Sequence, residues 1–172
     1  MIKALLSGIL AALLLGGGAA LAGKIKSSGA GHDYPEAESY AVSDDAEADV
    51  DAALARAAET DKRVMLVMGA NWCHDSRALA GWLATYRFKA LIEDKYELIF
   101  VNVGMPQSGD GHNLAIAARF GINGIPGTPN LLVLTPDGKL VNADTATTWR
   151  NAASREEDAI YAELESLANR AP

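Results

Sequence analysis

The sequence predicts an α/β domain built on a mixed sheet, and three observations carry that expectation. Short apolar runs of strand length alternate with segments of helical periodicity, giving the order β-α-β-α-β-β-α after an initial helix. Late in the chain, Pro136-Asp137-Gly138-Lys139 reads as a turn joining two strand-like runs, so parallel crossovers come first and a hairpin follows. The 172 residues, 49% hydrophobic and 22% charged, suffice for one ordinary domain with a real core.

The first segment, MIKALLSGILAALLLGGGAALAG, carries one lysine and then no charge from Ala4 to Gly23. Residues 1–22 therefore read as a signal peptide, cleaved after the small-residue pattern Ala20-Leu21-Ala22, or as a retained N-terminal anchor. Both readings export the domain: free in a bacterial periplasm, or anchored to the inner membrane and facing the periplasm. A lipoprotein is excluded, because no cysteine stands near the cleavage point.

Residues 23–46 read as a flexible acidic linker, with eight acids and no Lys or Arg between Asp33 and Asp51 and one short strand around Tyr40 to Val42. The domain proper is expected over 47–172. Its first helix starts near Ala46, where Val50, Leu54 and Ala57 recur at helical spacing behind acids in the first turn. Arg63 to Met68 is a strand, broken by Gly69-Ala70-Asn71. Leu79, Trp82, Leu83 and Tyr86 then place one helix just after Cys73. Leu98 to Val103 is a buried strand, and Leu114 to Phe120 a short helix ended by Gly121. Leu131 to Leu134 and Leu140 to Ala143 flank the turn as third and fourth strands. A last helix opens with Ser154 and Glu157 as a capping box and buries Ile160, Leu164 and Leu167. The Gly-x-Gly patterns between 104 and 111 lack a phosphate-binding lysine and read as a plain connection.

Fifteen Lys and Arg against 22 Asp and Glu give a formal charge of -7, which excludes nucleic acid as a partner. A single cysteine excludes an internal disulfide, a CxxC dithiol and a thiolate zinc cluster. His32, His74 and His112 are scattered without ligand spacing, so neither a metal nor a cofactor is expected. Membrane contact is expected only through an uncleaved N-terminal segment.

Read alone, Cys73 could be a small buried hydrophobe. Its position at a strand-to-helix turn favours a reactive thiol, because the unpaired N–H groups and macrodipole of a helix N-terminus favour thiolate. His74 either adds positive charge when protonated, partly opposed by Asp75, or simply lies in solvent. Ser76 either donates a hydrogen bond to the thiolate or is an ordinary first-turn residue. Trp72 shields the thiol and contacts substrate, or packs in the core.

Trp72-Cys73-His74-Asp75-Ser76 at the first strand-to-helix junction, with Gly127-Thr128-Pro129 just before the third strand, resembles the thioredoxin superfamily over residues 47 to 170. The run from Gly69 to Leu79 is similar to the G-x-x-W-C-x-D-[CS]-R-A-L motif of a group of exported bacterial thioredoxin-like proteins. The stretch Thr148 to Arg155 looks like that group as well, but it reads chemically as a loop and helix cap with Trp149 packing beneath. The resemblance implies a thioredoxin-like three-layer α/β/α sandwich with a central mixed sheet. It implies a cis Pro129, with the backbone of Thr128 pairing an extended substrate segment beside Cys73. Pro126 competes for that role, but Pro129 directly precedes the strand.

Two departures from the pattern stand out. Ser76 occupies the position of the resolving cysteine, and Val67 that of a buried carboxylate thought to move protons during resolution. Peroxiredoxin-like chemistry wants a hydroxyl where Ala70 stands, and copper delivery wants a second cysteine. The expected function is therefore thiol–disulfide exchange by a single redox-active cysteine, Cys73, with His74 and Ser76 modulating it and Trp72, Thr128 and Pro129 binding substrate. Partners would be protein or small-molecule thiols and disulfides, with oxidoreductase or isomerase-like activity. The alternative is a redox-inactive module that binds extended peptides. The rate of Cys73 alkylation against pH separates the two.

Overall fold

The computed structural model describes residues 34–172; residues 1–22, the start of the linker and His32 lie outside them. Helix α1 (Ala46–Thr60) begins where the Asp45 side chain accepts the Ala48 N–H at 3.0 Å, and it ends on Asp61 in the left-handed region. Strand β1 (Arg63–Gly69), α2 (His74–Leu83), α3 (Tyr86–Lys95) and β2 (Tyr96–Asn102) follow. A two-residue hairpin comes next, β3 (Gly104–Met105) and β4 (Asp110–Gly111), closed by a 3-10 turn at Pro106–Ser108. The chain then forms α4 (Leu114–Arg119), β5 (Asn130–Leu134), a 3-10 turn at Ala152–Ser154 and α5 (Glu157–Asn169).

β1 is the central strand, parallel to β2 and antiparallel to β5. Its apolar run is buried at both parities, which is why it shows no alternation. Met65 and Val67 face one core with Leu131 and Val133 of β5, covered by Leu79 of α2, Phe88 of α3, and Ile160 and Leu164 of α5. Val64, Leu66 and Met68 face the other with Leu132 and Leu134, covered by Val50, Ala53 and Ala57 of α1 and Ile116 of α4. The architecture is the expected three-layer α/β/α sandwich on a mixed sheet.

Five local expectations are corrected. The expected fourth strand at Leu140 to Ala143 is reduced to one bridge, Leu134 with Leu140, flanked by backbone bonds from Thr135 to Lys139 and from Val141 to Val133, because beyond Val141 the side chain of Asn142 takes over from the backbone. Its Oδ1 accepts the Val133 N–H at 2.8 Å and its Nδ2 donates to the Leu131 carbonyl at 2.9 Å. Asn142→Leu would leave both backbone groups buried without a partner. We expect a loss of about 2–4 kcal/mol, read as a lower urea midpoint at unchanged slope.

The single helix expected after Cys73 is two. α2 closes where the Ala84 N–H bonds back to Ala80 and Gly81 and the Thr85 hydroxyl to the Trp82 carbonyl, and Thr85 leaves in an extended conformation. Tyr86, read as part of a buried face, is 91% exposed, and α3 buries Phe88 and Leu91 instead. The capping box of Ser154 and Glu157 does not form. Ser154 bonds the Asn151 carbonyl, and α5 starts after Glu156 with no side-chain cap.

Between 104 and 111 the plain connection is the small β3–β4 hairpin. Finally, the described part of the expected linker, 34–45, is docked on the domain and contains no strand. Asn71 pairs both backbone groups of Tyr40, accepting its N–H at 3.0 Å and donating to its carbonyl at 3.2 Å, so a side-chain amide substitutes for a neighbouring strand. Asn102 donates to the same carbonyl at 3.0 Å, and the Tyr40 ring is buried. Farther back, the Ala37 N–H donates to the Arg77 carbonyl, and Gly81 lets the Pro35 backbone approach so closely that a β-carbon there would stand 2.2 Å from its oxygen.

Candidate functional site

β1 ends at Gly69, and the chain turns through Ala70-Asn71-Trp72 before α2 begins. The turn is closed by the Cys73 N–H donating to the Ala70 carbonyl at 3.1 Å. Cys73 is the N-cap of α2, in an extended conformation, and its carbonyl accepts the Arg77 N–H at 3.0 Å as the first bond of the helix. Its side chain makes no capping bond. Instead the thiol, 7% exposed, donates to the Thr128 carbonyl at 3.4 Å across 55 residues of sequence. The Thr128–Pro129 peptide bond is cis, and β5 starts at the next residue. Thus Cys73, Thr128 and Pro129, far apart in the sequence and placed side by side by the resemblance, come together where α2 begins and β5 enters the sheet.

The cis-proline loop holds two buried polar atoms without a hydrogen-bond partner, Thr128 Oγ1 and Asn130 Oδ1. The amide nitrogen of Asn130 closes the loop by donating to the Gly127 carbonyl at 2.7 Å. Trp72 stands at the rim, 47% exposed, its indole N–H donating to the Gly104 carbonyl at 2.9 Å. That bond fixes the ring against the β3–β4 hairpin and leaves much of its apolar surface open beside the thiol.

Ser76 is fully buried, and its hydroxyl oxygen accepts the Ala70 N–H at 3.4 Å. Gly69 makes room for this arrangement, since a β-carbon there would stand 2.6 Å from the Tyr40 ring and 2.7 Å from Ser76 Oγ. The Tyr40 hydroxyl donates to the Ser76 carbonyl at 3.3 Å. Burial, with the neighbouring Cys73 adding to it, pushes the Tyr40 phenol well above its ordinary range, so the group stays a neutral donor. Val67, at the position considered for a buried carboxylate, is packed between Phe100 of β2 and Leu131 of β5. No acid stands on the strand there.

His74 is largely in solvent, its side chain 65% exposed, with Nε2 3.2 Å from Asp75 Oδ2. The contact becomes an ion pair whenever the imidazole is protonated. His112, also exposed, lies against Gly104 at the hairpin. Among the described residues, no three His, Cys, Asp or Glu side chains gather closely enough to hold a metal ion.

Sequence reasoning missed three supports of this site. Asp75, read only as a charge opposing His74, is nearly buried and accepts the Ala153 N–H at 2.8 Å, tying the first turn of α2 to the 152–154 turn. Arg77 donates to the carbonyls of Asn71 and Trp72 at 2.9 and 3.1 Å and pairs with Glu36 at 3.3 Å. Tyr40 is the third, and an aromatic residue inside an otherwise polar stretch was the available signal. Asp75→Ala should cost about 1–3 kcal/mol by leaving the Ala153 N–H without a partner, whereas Asp75→Asn keeps an acceptor oxygen and most of the stability. Urea unfolding, with hydrogen exchange of the Ala153 amide, checks both.

The chain's similarities agree with this geometry. No match is found among curated proteins. The crystal structure of a disulphide isomerase from Xylella fastidiosa Temecula1 superimposes with a TM-score of 0.64 at 30% identity, covering 76% of this chain and 98% of that one. A family model described as Thioredoxin-like matches residues 45–136, from the N-cap of α1 through the end of β5. With its sheet order, its cysteine at the first strand-to-helix turn and more than half its length inside that match, the chain belongs to the thioredoxin-like family.

Proposed function

We propose that this is an exported thiol–disulfide exchange protein that works through Cys73 alone, by mixed disulfides. The single observation that carries the reading is the Cys73 thiol at the N-terminus of α2, hydrogen-bonded to the carbonyl beside a cis proline, with Ser76 where a second thiol would stand. The Cys73 thiolate attacks a disulfide R–S–S–R; a new sulfur–sulfur bond forms to Cys73, the old one breaks, and one thiolate leaves. Ser76 cannot reverse this from within, so an external thiolate attacks the mixed disulfide, takes the bound group away as a new disulfide and returns Cys73 as thiolate. The cycle balances with no further oxidant or reductant. The related disulphide isomerase supports the same class of chemistry, since isomerisation also proceeds through a mixed disulfide.

Substrate binding follows from the thiol's hydrogen bond. Once Cys73 sulfur is bonded to a second sulfur it has no proton to give, so the Thr128 carbonyl is released to accept an N–H from an extended segment attached there. Trp72 supplies apolar surface alongside. The second reading, a redox-inactive peptide-binding module, is favoured by the low exposure of Cys73. Intact-mass spectrometry separates them: incubation with a small disulfide should add one thiol mass per chain in the wild type and none in Cys73→Ser. A wild-type chain whose mass never changes supports the binding module. Export is tested on protein from the native host, whose mature chain should start at Gly23; an intact Met1 on a cytosolic protein contradicts it.

A further inference from the structure

The stretch Thr148 to Arg155 plays no part in the exchange chemistry above, and it contains one side chain whose surroundings are unusual. Of the eight arginines among the described residues, Arg150 makes neither an ion pair nor a hydrogen bond, although acids outnumber bases in this chain. It is exposed, yet its stem is not free to wander. A β-carbon on Gly127 would stand 3.1 Å from Arg150 Cδ and 3.8 Å from Nη1, so the side chain lies across the glycine that precedes Thr128. Trp149 is buried on one side of it, and on the other the 152–154 turn is pinned to the first turn of α2 by the bond from Ala153 to Asp75. Gly127 and Asp75, which this stretch contacts, belong to the two elements that meet at Cys73: the cis-proline loop and the helix N-terminus.

We propose that Arg150 recognises a carboxylate on the small thiol or disulfide that reacts at Cys73, so that the external thiol completing the cycle is an anionic one. This rests on the exchange reading and names its co-substrate class. The physical case is one of charge. A protein of net charge -7 repels anions on approach, and an unpaired guanidinium over Gly127, one residue before the Thr128 carbonyl that holds the reacting thiol, offsets that locally. The nearest acid in the motif, Asp75, does not compete, because one of its oxygens accepts the Ala153 N–H and the other faces His74. The planar fork of Arg150 can take a carboxylate with two hydrogen bonds.

The test measures the rate of mixed-disulfide formation at Cys73 by intact mass with three probes: glutathione disulfide, which is anionic, bis(2-hydroxyethyl) disulfide, which is neutral, and cystamine, which is cationic. Each rate is normalised to that probe's rate with a free small thiol. Arg150→Gln should slow glutathione disulfide by about five- to tenfold, leave the neutral probe within about twofold and not slow cystamine. Arg150→Lys should keep the part of the anionic preference that charge alone supplies and lose the part owed to the two-bond fork, falling between wild type and Arg150→Gln. In the wild type itself, that preference should shrink in high salt. Equal slowing of all three probes by Arg150→Gln, or no anionic preference in the wild type at low salt, overturns the proposal while leaving exchange at Cys73 intact. A wild type that forms no adduct with any probe overturns the exchange reading, and this inference with it.

Discussion

Ser76→Cys is expected to convert the protein from one that waits for an external thiol into one that releases its own mixed disulfides. Residue 76 sits three positions after the N-cap cysteine in the first turn of α2, so the two sulfurs would be within disulfide reach. Under oxidation the variant should close an internal disulfide. With a reductant supplied, its disulfide reductase turnover should exceed wild type by on the order of tenfold or more, because the resolving attack becomes intramolecular. Two features restrain the gain. The side chain at 76 is fully buried against Gly69 and the Tyr40 ring, so the larger sulfur must be accommodated there. Val67 offers no proton acceptor to the second thiol. Loss of two hydrogens in the oxidised variant's mass, and turnover followed with an insulin-type disulfide substrate, check the prediction.

Tyr40→Ala should be the most destabilising single change near the site. The ring is buried, packs edge-on to Phe100 at 5.2 Å between centroids, and covers Gly69 beneath the motif. Emptying that space should cost about 3–5 kcal/mol, a large share of the stability of an ordinary domain. Tyr40→Phe keeps the packing and loses only the bond to the Ser76 carbonyl, about 1 kcal/mol. Urea denaturation of both variants measures the difference. A pH effect accompanies it: with its phenol raised by burial, folded Tyr40 keeps a proton that the unfolded chain gives up above about pH 10. The native state then binds more protons, so stability is whole below that pH and falls as pH rises through it. Tyr96, raised in the same way by burial, adds to the fall, and Tyr40→Phe should flatten part of it.

What could be read in the sequence, and what could not, divides along the range of the interactions involved. β1 was legible because its five-residue apolar run, Val64 to Met68, is buried on both faces, and α1 because Val50, Leu54 and Ala57 recur at helical spacing behind acids in the first turn. The break between α2 and α3 has neither Gly nor Pro at Ala84–Thr85 and is set by hydrogen bonds that no periodicity reports. Asn142 ended a strand by offering its amide to residues 9 and 11 positions back. At the expected capping box the Ser154 hydroxyl bonds the Asn151 carbonyl instead, within a turn that Asp75 holds through the Ala153 N–H, 78 residues away. Docking of Tyr40 likewise depends on Asn71 and Asn102, 31 and 62 positions distant. In the candidate site, the exposed and motif-borne members were visible in the sequence. The meeting of Cys73 with Thr128 was available only through family resemblance, and the crossing of Arg150 over Gly127 not at all.

Exchange at Cys73 with no internal partner can be followed on a single adduct. The Cys73 mixed disulfide with 5-thio-2-nitrobenzoate can be prepared, freed of reagent and followed by absorbance. It should persist without added thiol, then release one equivalent of chromophore per chain when glutathione is added, with intact mass returning to that of the free protein. Release of the chromophore at the same rate without added thiol, or an adduct that glutathione leaves untouched, would contradict the account.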